Sequence, residues 1–340
     1  LGAFICGFCV CMLNTVVNPM LNILGGGGNK GNQLLQVGNS FNSLTGTLTP
    51  LFVGVLVGEL SKSTTLSTVE PLLWIAIGVF VASFIVISFV AIPEPNKTSG
   101  KKVQPKYSHS PWNFRHTVLG VIGIFIYVGI EVGIPGTLNF YLSDQSASGA
   151  GVVGAASAIA GTIVAIYWLL MLCGRLLSSV ISGVVSSKVQ LIVVSSTAML
   201  LVLGAILIPS SVTLPVPDFI YSSVDAETGA VITARVPVSA YLLIVCGLCT
   251  SVMWGGIFNL AVEGLGKYTA QASGIFMMMV VGGGIIPLVQ QVIAKSAGYM
   301  ASYWLIVACL GYLLFYGLIG PKNVNTDIPV EEESELKNAL

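Results

Sequence analysis

Long apolar runs alternate with short polar connections along most of this chain. A helix that crosses a bilayer needs about 20 mostly apolar residues, and nine runs in the sequence reach that length. The sequence therefore predicts an all-α integral membrane protein with nine membrane-spanning helices. These helices are expected near residues 2–24, 40–58, 71–92, 117–142, 152–182, 188–209, 238–262, 270–294 and 299–319.

Composition supports this prediction and argues against nucleic acid as a partner. Of the 340 residues, 54% are hydrophobic and only 8% are charged, whereas soluble domains contain about 25% charged residues. The formal net charge is zero, so the chain lacks the basic surface that nucleic-acid binding requires. We expect a lipid bilayer and no nucleic acid around this protein.

The distribution of lysine and arginine predicts the topology, because loops rich in these residues stay in the cytoplasm. Residues 93–116 are the most basic connection, with one acidic residue, Glu94, and are therefore expected inside. Alternation then places the loop 210–237 outside. The basic residues expected inside are Lys30, Lys97, Lys101, Lys102, Lys106, Arg115, Lys188 and Lys267, and the acidic residues expected outside are Asp218, Asp225 and Glu227.

The same alternation places Leu1 on the external side, and only three spans precede the basic loop whereas six follow it. We therefore expect an amino-terminally truncated chain that lacks three spans. The predicted domains are a remnant of an amino-terminal bundle with spans four to six (1–92), a cytoplasmic central loop (93–116), a carboxyl-terminal six-helix bundle (117–320) and an acidic cytoplasmic tail (321–340).

Glu131 lies in the middle of the run 117–142. A carboxylate at the bilayer centre costs roughly 2.5–3.5 kcal/mol on insertion scales, so it should face a wet cavity or a partner. Tyr127 and Pro135 continue the same helix stripe one turn away on each side. The carboxyl could bind a substrate hydroxyl, titrate as a proton carrier, coordinate Na⁺ or tie two helices together.

Side-chain amides form the second group of candidates, because amides in hydrocarbon must find hydrogen-bond partners. Asn14 and Asn18 are four residues apart, and Asn39 and Asn42 are three apart, so each pair is expected to share a helix face. Such amides either hold helices together or line a cavity for a neutral polyhydroxyl ligand, and we favour the cavity. The predicted substrate-binding residues are Asn14, Asn18, Asn39, Asn42, Tyr127, Glu131, Asn139 and, more weakly, Asn259, with Glu131 also as the coupling residue.

Other polar residues receive structural interpretations. Arg175 is expected at the cytoplasmic interface, where a long cationic side chain can snorkel and make a structural or gating contact. Glu263 and Lys267, four residues apart, are expected to form an interfacial ion pair. The glycines at 282–284 and Pro287 are expected to let their helix bend or pack closely.

Enzyme and metal chemistry find little support in the sequence. All seven cysteines lie in apolar runs, where a thiol usually serves as a small buried residue. His109 and His116 are expected in the central loop without a carboxylate cluster, so no nucleophile or metal site is supported. Gly26-x-Gly28-x-x-Gly31 fits a dinucleotide fingerprint by letters only, without a βαβ unit. We expect no enzyme activity and no cofactor beyond H⁺ or Na⁺ as a coupling ion.

Five stretches, in order, resemble the fourth, fifth, seventh, eighth and eleventh spans of the fucose and glucose/galactose permease branch of the major facilitator superfamily. They are LNTVVNPMLNILG (13–25), NSFNSLTGTLTP (39–50), YVGIEVGI (127–134), GRLLSSVIS (174–182) and SGIFMMMVVGGGIIPLV (273–289). The resemblance implies the major facilitator fold with nine of its twelve spans. It also implies alternating-access symport of a neutral monosaccharide such as fucose, glucose or galactose, by a monomer of the cell inner membrane.

In that branch a proton is carried by an Asp in the first span and a Glu in the fourth. The position that matches this Glu is Asn14 here, so coupling would depend on Glu131 or on a residue upstream. Asn39 stands where the family has Gln, whereas Asn18 and Asn42 match the family pattern. The alternative functions are transport of another neutral small solute or a drug, and sugar sensing without transport.

Overall fold

The computed structural model describes residues 1–26, 28–56, 66–90, 109–152, 156–217, 223–224, 231–325 and 327–330. Within these residues the chain forms ten α-helices. They are α1 (Gly2–Leu24), α2 (Gly28–Leu56), α3 (Leu66–Phe89), α4 (Arg115–Ser143), α5 (Ala156–Ile181), α6 (Ser187–Leu207), α7 (Val238–Val262), α8 (Thr269–Met278), α9 (Gly282–Ala297) and α10 (Tyr299–Ile319).

The predicted all-α membrane fold is confirmed, and each of the nine predicted spans coincides with a helical segment. Eight of these segments are long and apolar enough to cross a membrane. The segment outside that set is α2, whose first half is rich in Asn and Gln and which begins at Gly28 rather than near residue 40. The fourth span begins at Arg115, so His116 lies in the first turn of α4 and not in the central loop.

The span predicted near 270–294 is two helices joined by a 3₁₀ turn at Met279–Val281. Gly282 opens the second helix directly against α4, where a Cβ atom would overlap the backbone carbonyl of Phe125. The glycine therefore permits a contact between helix backbones, as in other membrane bundles. The close packing predicted for this glycine run is confirmed.

Two central helices, α4 and α7, form the core of the carboxyl-terminal bundle and run antiparallel. At one end, the Thr117 hydroxyl donates to the Ala261 carbonyl at 3.0 Å, and His116 Nε2 lies 3.0 Å from the Glu263 carbonyl oxygen. The helices α5, α6, α9 and α10 pack around this pair. The resulting core contains fully buried aromatic rings, among them Tyr127, Tyr167, Tyr303 and Tyr316.

The amino-terminal helices are packed differently. The α2 helix lies along α5 and also contacts α7, which joins it to the carboxyl-terminal bundle. In α1 the buried polar residues are Asn18 and Asn22, while apolar side chains such as Phe8 and Val16 face outward. Described side chains of α3 are exposed or half-buried. This inverted pattern, with polar residues inside and apolar ones outside, is expected of helices in lipid.

The long connection between α6 and α7 contains short strands that the sequence analysis did not anticipate. Strand β1 (Thr213–Pro215) pairs antiparallel with β4 (Arg235–Pro237), and β2 (Ser223–Val224) pairs with β3 (Val231–Ile232). Arg235 crosses the first pair and donates from Nη2 to the Thr213 carbonyl at 2.9 Å. A side-chain contact therefore ties the two ends of this connection together.

The seven thiols are free, but only three of them are buried, namely Cys246, Cys249 and Cys309. The other four, Cys6, Cys9, Cys11 and Cys173, are exposed, so the expectation of buried thiols is wrong for these.

The acidic run at 331–335 and most of the basic central loop lie outside the described residues. An ion pair between Glu263 and Lys267 stays a prediction.

Close packing of α5 on α7 depends on Gly247, because a Cβ there would overlap the Tyr167 carbonyl oxygen. We expect Gly247→Ala to lower the free energy of unfolding by about 1–3 kcal/mol, the usual range for overpacking. The matched control is Gly311→Ala in α10, where a Cβ would meet nothing within 4 Å and the change should be neutral or slightly stabilising. Equilibrium unfolding in mixed detergent micelles measures both, and equal effects would contradict this interpretation.

Candidate functional site

The candidate site is organised around Arg175 in α5, which is only 3% exposed. The prediction that this side chain snorkels to the membrane interface is wrong. The helix continues six residues further to Ile181, about 9 Å along its axis. The guanidinium instead turns inward, where it finds fixed acceptors.

Three acceptors surround the guanidinium, and they come from two helices. Arg175 Nη2 donates to Glu131 Oε1 of α4 at 2.9 Å. Its Nη1 donates to the Asn39 carbonyl and to Ser43 Oγ of α2, each at 2.7 Å. A planar guanidinium with several fixed donors suits such a divided set of acceptors better than an ammonium would. One side chain of α5 therefore joins α2 to α4.

Glu131 is held by its backbone as well as by its carboxylate. A residue four positions before a proline has no helical donor for its carbonyl, because proline lacks an N–H, and Pro135 stands at that distance. The Tyr167 hydroxyl donates to this Glu131 carbonyl at 3.4 Å and also lies 2.9 Å from Thr250 Oγ1 of α7. The proline thus creates an acceptor that α5 and α7 use to fix Glu131.

Next to this pair lie donors that have no hydrogen-bond partner within the described part of the chain. They are Asn39 Nδ2, Tyr127 Oη, Arg175 Nε and Trp254 Nε1, and we refer to these four residues as the donor cluster. The Tyr127 and Trp254 rings pack at 6.1 Å between centroids with an interplanar angle of 55°. A buried donor without a partner costs about 1–3 kcal/mol, so four such donors on the helices that meet near Glu131 make this region the candidate site.

Of the predicted residues, the structure brings together Asn39, Tyr127 and Glu131. Asn18 and Asn14 lie elsewhere, in the contact between α1 and α8. Asn18 is buried, and its amide donates to the Asn14 carbonyl at 3.2 Å and to Met277 Sδ at 3.8 Å. In the conformation described here the Asn18 amide therefore holds α1 against α8, whereas Asn14 contributes its backbone carbonyl.

Three further predicted residues do not assemble with Glu131. Asn42 is exposed, because the buried face of α2 returns at Ser43, one turn after Asn39. Asn139 accepts from Ser143 at 3.2 Å and lies eight residues beyond Glu131, about 12 Å along α4. Asn259 donates to Ser187 Oγ at 3.0 Å near the end of α7. In this structure the eight residues therefore do not lie together: Asn42, Asn139 and Asn259, like Asn14 and Asn18, lie apart from Glu131, and their role in substrate binding stays a prediction.

Trp254, Tyr167 and Thr250 were not among the predicted residues, and Arg175 was misplaced. Two sequence signals could have found Arg175 and Tyr167. A carboxylate in a span requires a counter-charge, and Arg175 is the arginine inside a predicted span. The spacing from Glu131 to Pro135 leaves a carbonyl that requires a donor from another helix. A buried tyrosine is a suitable donor.

No family model matches the chain. Two Brucella abortus proteins named glucose/galactose transporter are 30% identical over 330 residues, which cover 95% of this chain and 72% of each relative. The outward-conformation structure of FucP, a major facilitator superfamily transporter, matches with a TM-score of 0.68 at 17% identity, and covers 92% of this chain and 73% of FucP. A variant of the Escherichia coli fucose:proton symporter FucP gives the same TM-score at 18% identity, over 92% of this chain and 74% of FucP.

The ion pair between Arg175 and Glu131 can be tested by a double-mutant cycle. Removing one partner of a buried pair typically costs about 3–5 kcal/mol, because the other charge is left uncompensated. We expect Arg175→Met to destabilise the protein by that amount, and the added change Glu131→Gln to recover part of the loss. Exposed Glu70 provides the control, since Glu70→Gln should change stability by less than about 0.5 kcal/mol. Additive effects of the two substitutions in detergent unfolding would show that the pair is not coupled.

Proposed function

Since this chain belongs to the glucose/galactose transporter family of the major facilitator superfamily, we propose that it carries a neutral hexose across the membrane by alternating access. The observation that carries this proposal is the donor cluster beside Glu131. It offers hydrogen-bond donors, a carboxylate acceptor and aromatic faces, the groups that a sugar ring requires. The names of the Brucella relatives favour glucose and galactose as substrates. The protein is thus a transporter and not an enzyme.

Alternating access requires two helix groups that move against each other around a central site. We assign α1–α3 to one group and α4–α10 to the other. Arg175 joins the groups, because its Nη1 bonds Asn39 and Ser43 on α2 while its Nη2 bonds Glu131 on α4. A sugar that binds the donor cluster would therefore contact both groups, and its binding would change the interaction between them.

We assign the coupling role to Glu131 and propose that the coupling ion is a proton rather than Na⁺. The guanidinium lies 2.9 Å from Glu131 Oε1, so a sodium ion on that oxygen would sit beside an existing positive charge. A proton on the carboxyl instead removes the charge that holds Arg175 to α4 and leaves the guanidinium with its acceptors on α2. Asn14, at the position of the family's fourth-span Glu, cannot carry a proton in this way.

We further propose that the protein works as a monomer in the cell inner membrane.

Asn14 and Asn18 remain candidate substrate contacts for another conformation. In the conformation described here Asn18 bonds across to Met277. Movement of α1 away from α8 would free this amide for a sugar hydroxyl.

The function is tested by hexose uptake in cells that lack their own hexose carriers, with the protein expressed from its own gene. We expect accumulation of labelled glucose or galactose that an uncoupler abolishes. Glu131→Gln should lose accumulation while it retains sugar-for-sugar exchange, since the sugar contacts remain but no proton can bind. The control, Glu70→Gln, should behave as wild type. Full accumulation by Glu131→Gln would remove the proposed coupling role, and transport that free sugars fail to inhibit would indicate a different solute.

The donor cluster is tested by Tyr127→Phe, which removes one hydroxyl and keeps the ring. A neutral hydrogen bond contributes about 0.5–1.5 kcal/mol, so the apparent KM for the sugar should rise about two- to tenfold. Tyr312 provides the matched control, because its hydroxyl donates to the Leu119 carbonyl in the distant α4–α10 contact. A rise in KM for Tyr312→Phe that equals the rise for Tyr127→Phe would show that the effect is not local to the cluster.

A further inference from the structure

A cavity that is separate from the donor cluster lies near the end of the bundle that the lysine distribution predicts as cytoplasmic. Its volume is about 690 Å³, and α1, α6, α7 and the segment after α10 all contribute to its wall. Asn259 on this wall lies nine residues beyond Thr250, roughly 13 Å along α7. The cavity is therefore more than two helix turns away from the site of Glu131.

One part of this wall carries positive charge. It contains the start of α6, at Ser186, Ser187 and Lys188. The first backbone N–H groups of a helix have no acceptor within it and carry a partial positive charge, which favours bound anions. Lys188 and Lys322 also line the cavity. Two ammonium groups and the start of a 21-residue helix thus face one volume.

A second and independent feature is a buried amide that has no partner. Asn22 of α1 is 8% exposed and lines the cavity. Its Nδ2 donor has no hydrogen-bond acceptor within the described residues. An unpaired buried amide donor costs about 1–3 kcal/mol, so Asn22 indicates a ligand oxygen that completes it.

The remaining polar groups on the wall favour hydroxyls. Asn259 uses its Nδ2 on Ser187 Oγ, which leaves its carbonyl oxygen as an acceptor. The Glu263 carboxylate is an acceptor that would repel a bare phosphate placed beside it. The described lining contains no aromatic ring, so it lacks the stacking surface that a nucleotide base would use. A cavity of this volume, within the usual range for small-molecule sites, is larger than a phosphate ion needs.

We propose that this cavity binds a phosphorylated monosaccharide. The phosphate would lie at the start of α6 between Lys188 and Lys322, and the sugar hydroxyls would bond Asn22, Asn259 and Glu263. Because Asn22 belongs to α1 and the other groups to α6, α7 and the carboxyl-terminal segment, the bound ligand bridges the two helix groups. It would hold this end closed and slow transport, a consequence that rests on the proposed function, whereas the binding itself does not.

The test is thermal unfolding of the purified protein in detergent, titrated with glucose 6-phosphate, glucose or inorganic phosphate, since a ligand that binds the native state raises its stability. We expect glucose 6-phosphate to act at a concentration at least about tenfold lower than inorganic phosphate. Lys188→Gln and Lys322→Gln should each weaken glucose 6-phosphate about tenfold, as expected for loss of a charge-assisted hydrogen bond. Their response to glucose should not change.

Two further variants complete the design. Lys295→Gln, the same charge change in a different cavity, should respond to glucose 6-phosphate as wild type does. Asn22→Leu should weaken glucose 6-phosphate and leave inorganic phosphate unchanged. The proposal is overturned if glucose 6-phosphate does not stabilise the protein, if both lysine variants respond as wild type, or if inorganic phosphate is equally potent. Tyr127→Phe separates the two sites, because it should weaken the response to glucose and leave that to glucose 6-phosphate intact.

Discussion

A guanidinium group in the apolar part of a membrane must have acceptors, and this requirement organises the middle of the molecule. Arg175 finds a carboxylate on α4 and a carbonyl and a hydroxyl on α2. The bonds that compensate its charge therefore also fix α2 against α4 and α5. The same contacts that satisfy the Arg175 side chain also join the two helix groups. Any change in the charge of Glu131 acts on both at once.

The fold could be predicted from the sequence because the bilayer imposes a length. Nine apolar runs of about 20 residues correspond to nine helical segments, and the glycine run at 282–284 correctly indicated close packing of its helix. The errors concern helix starts and short strands, which the length of an apolar run does not determine. Because the first half of α2 is polar, the predicted span began twelve residues too late. Because the segment before α4 is basic, the predicted start of α4 was two residues too late. Short strands between α6 and α7 left no recognisable pattern, because each is only two or three residues long.

The candidate site could be predicted only in part. Glu131 was found because a carboxylate in hydrocarbon is expensive wherever its helix lies. Arg175 was misplaced because a long side chain near a predicted helix end can either leave the membrane or turn inward, and only the packing of α2 and α4 decides between these. Asn42 and Asn259 are amides in spans like Asn39, yet they face different surroundings. Rotation of each helix about its axis depends on its neighbours, which a single sequence does not reveal.

Pro135 gives α4 an unusual mechanical property at the level of the site. The missing N–H removes one main-chain hydrogen bond, the bond from position 135 to the Glu131 carbonyl, so bending at this point breaks one bond fewer than elsewhere in the helix. The carbonyl is satisfied from outside by Tyr167, a side chain that can follow a small displacement by rotation. The helix can therefore bend at its midpoint more easily than an uninterrupted helix, and the Glu131 carboxylate at this point is anchored on Arg175 of α5.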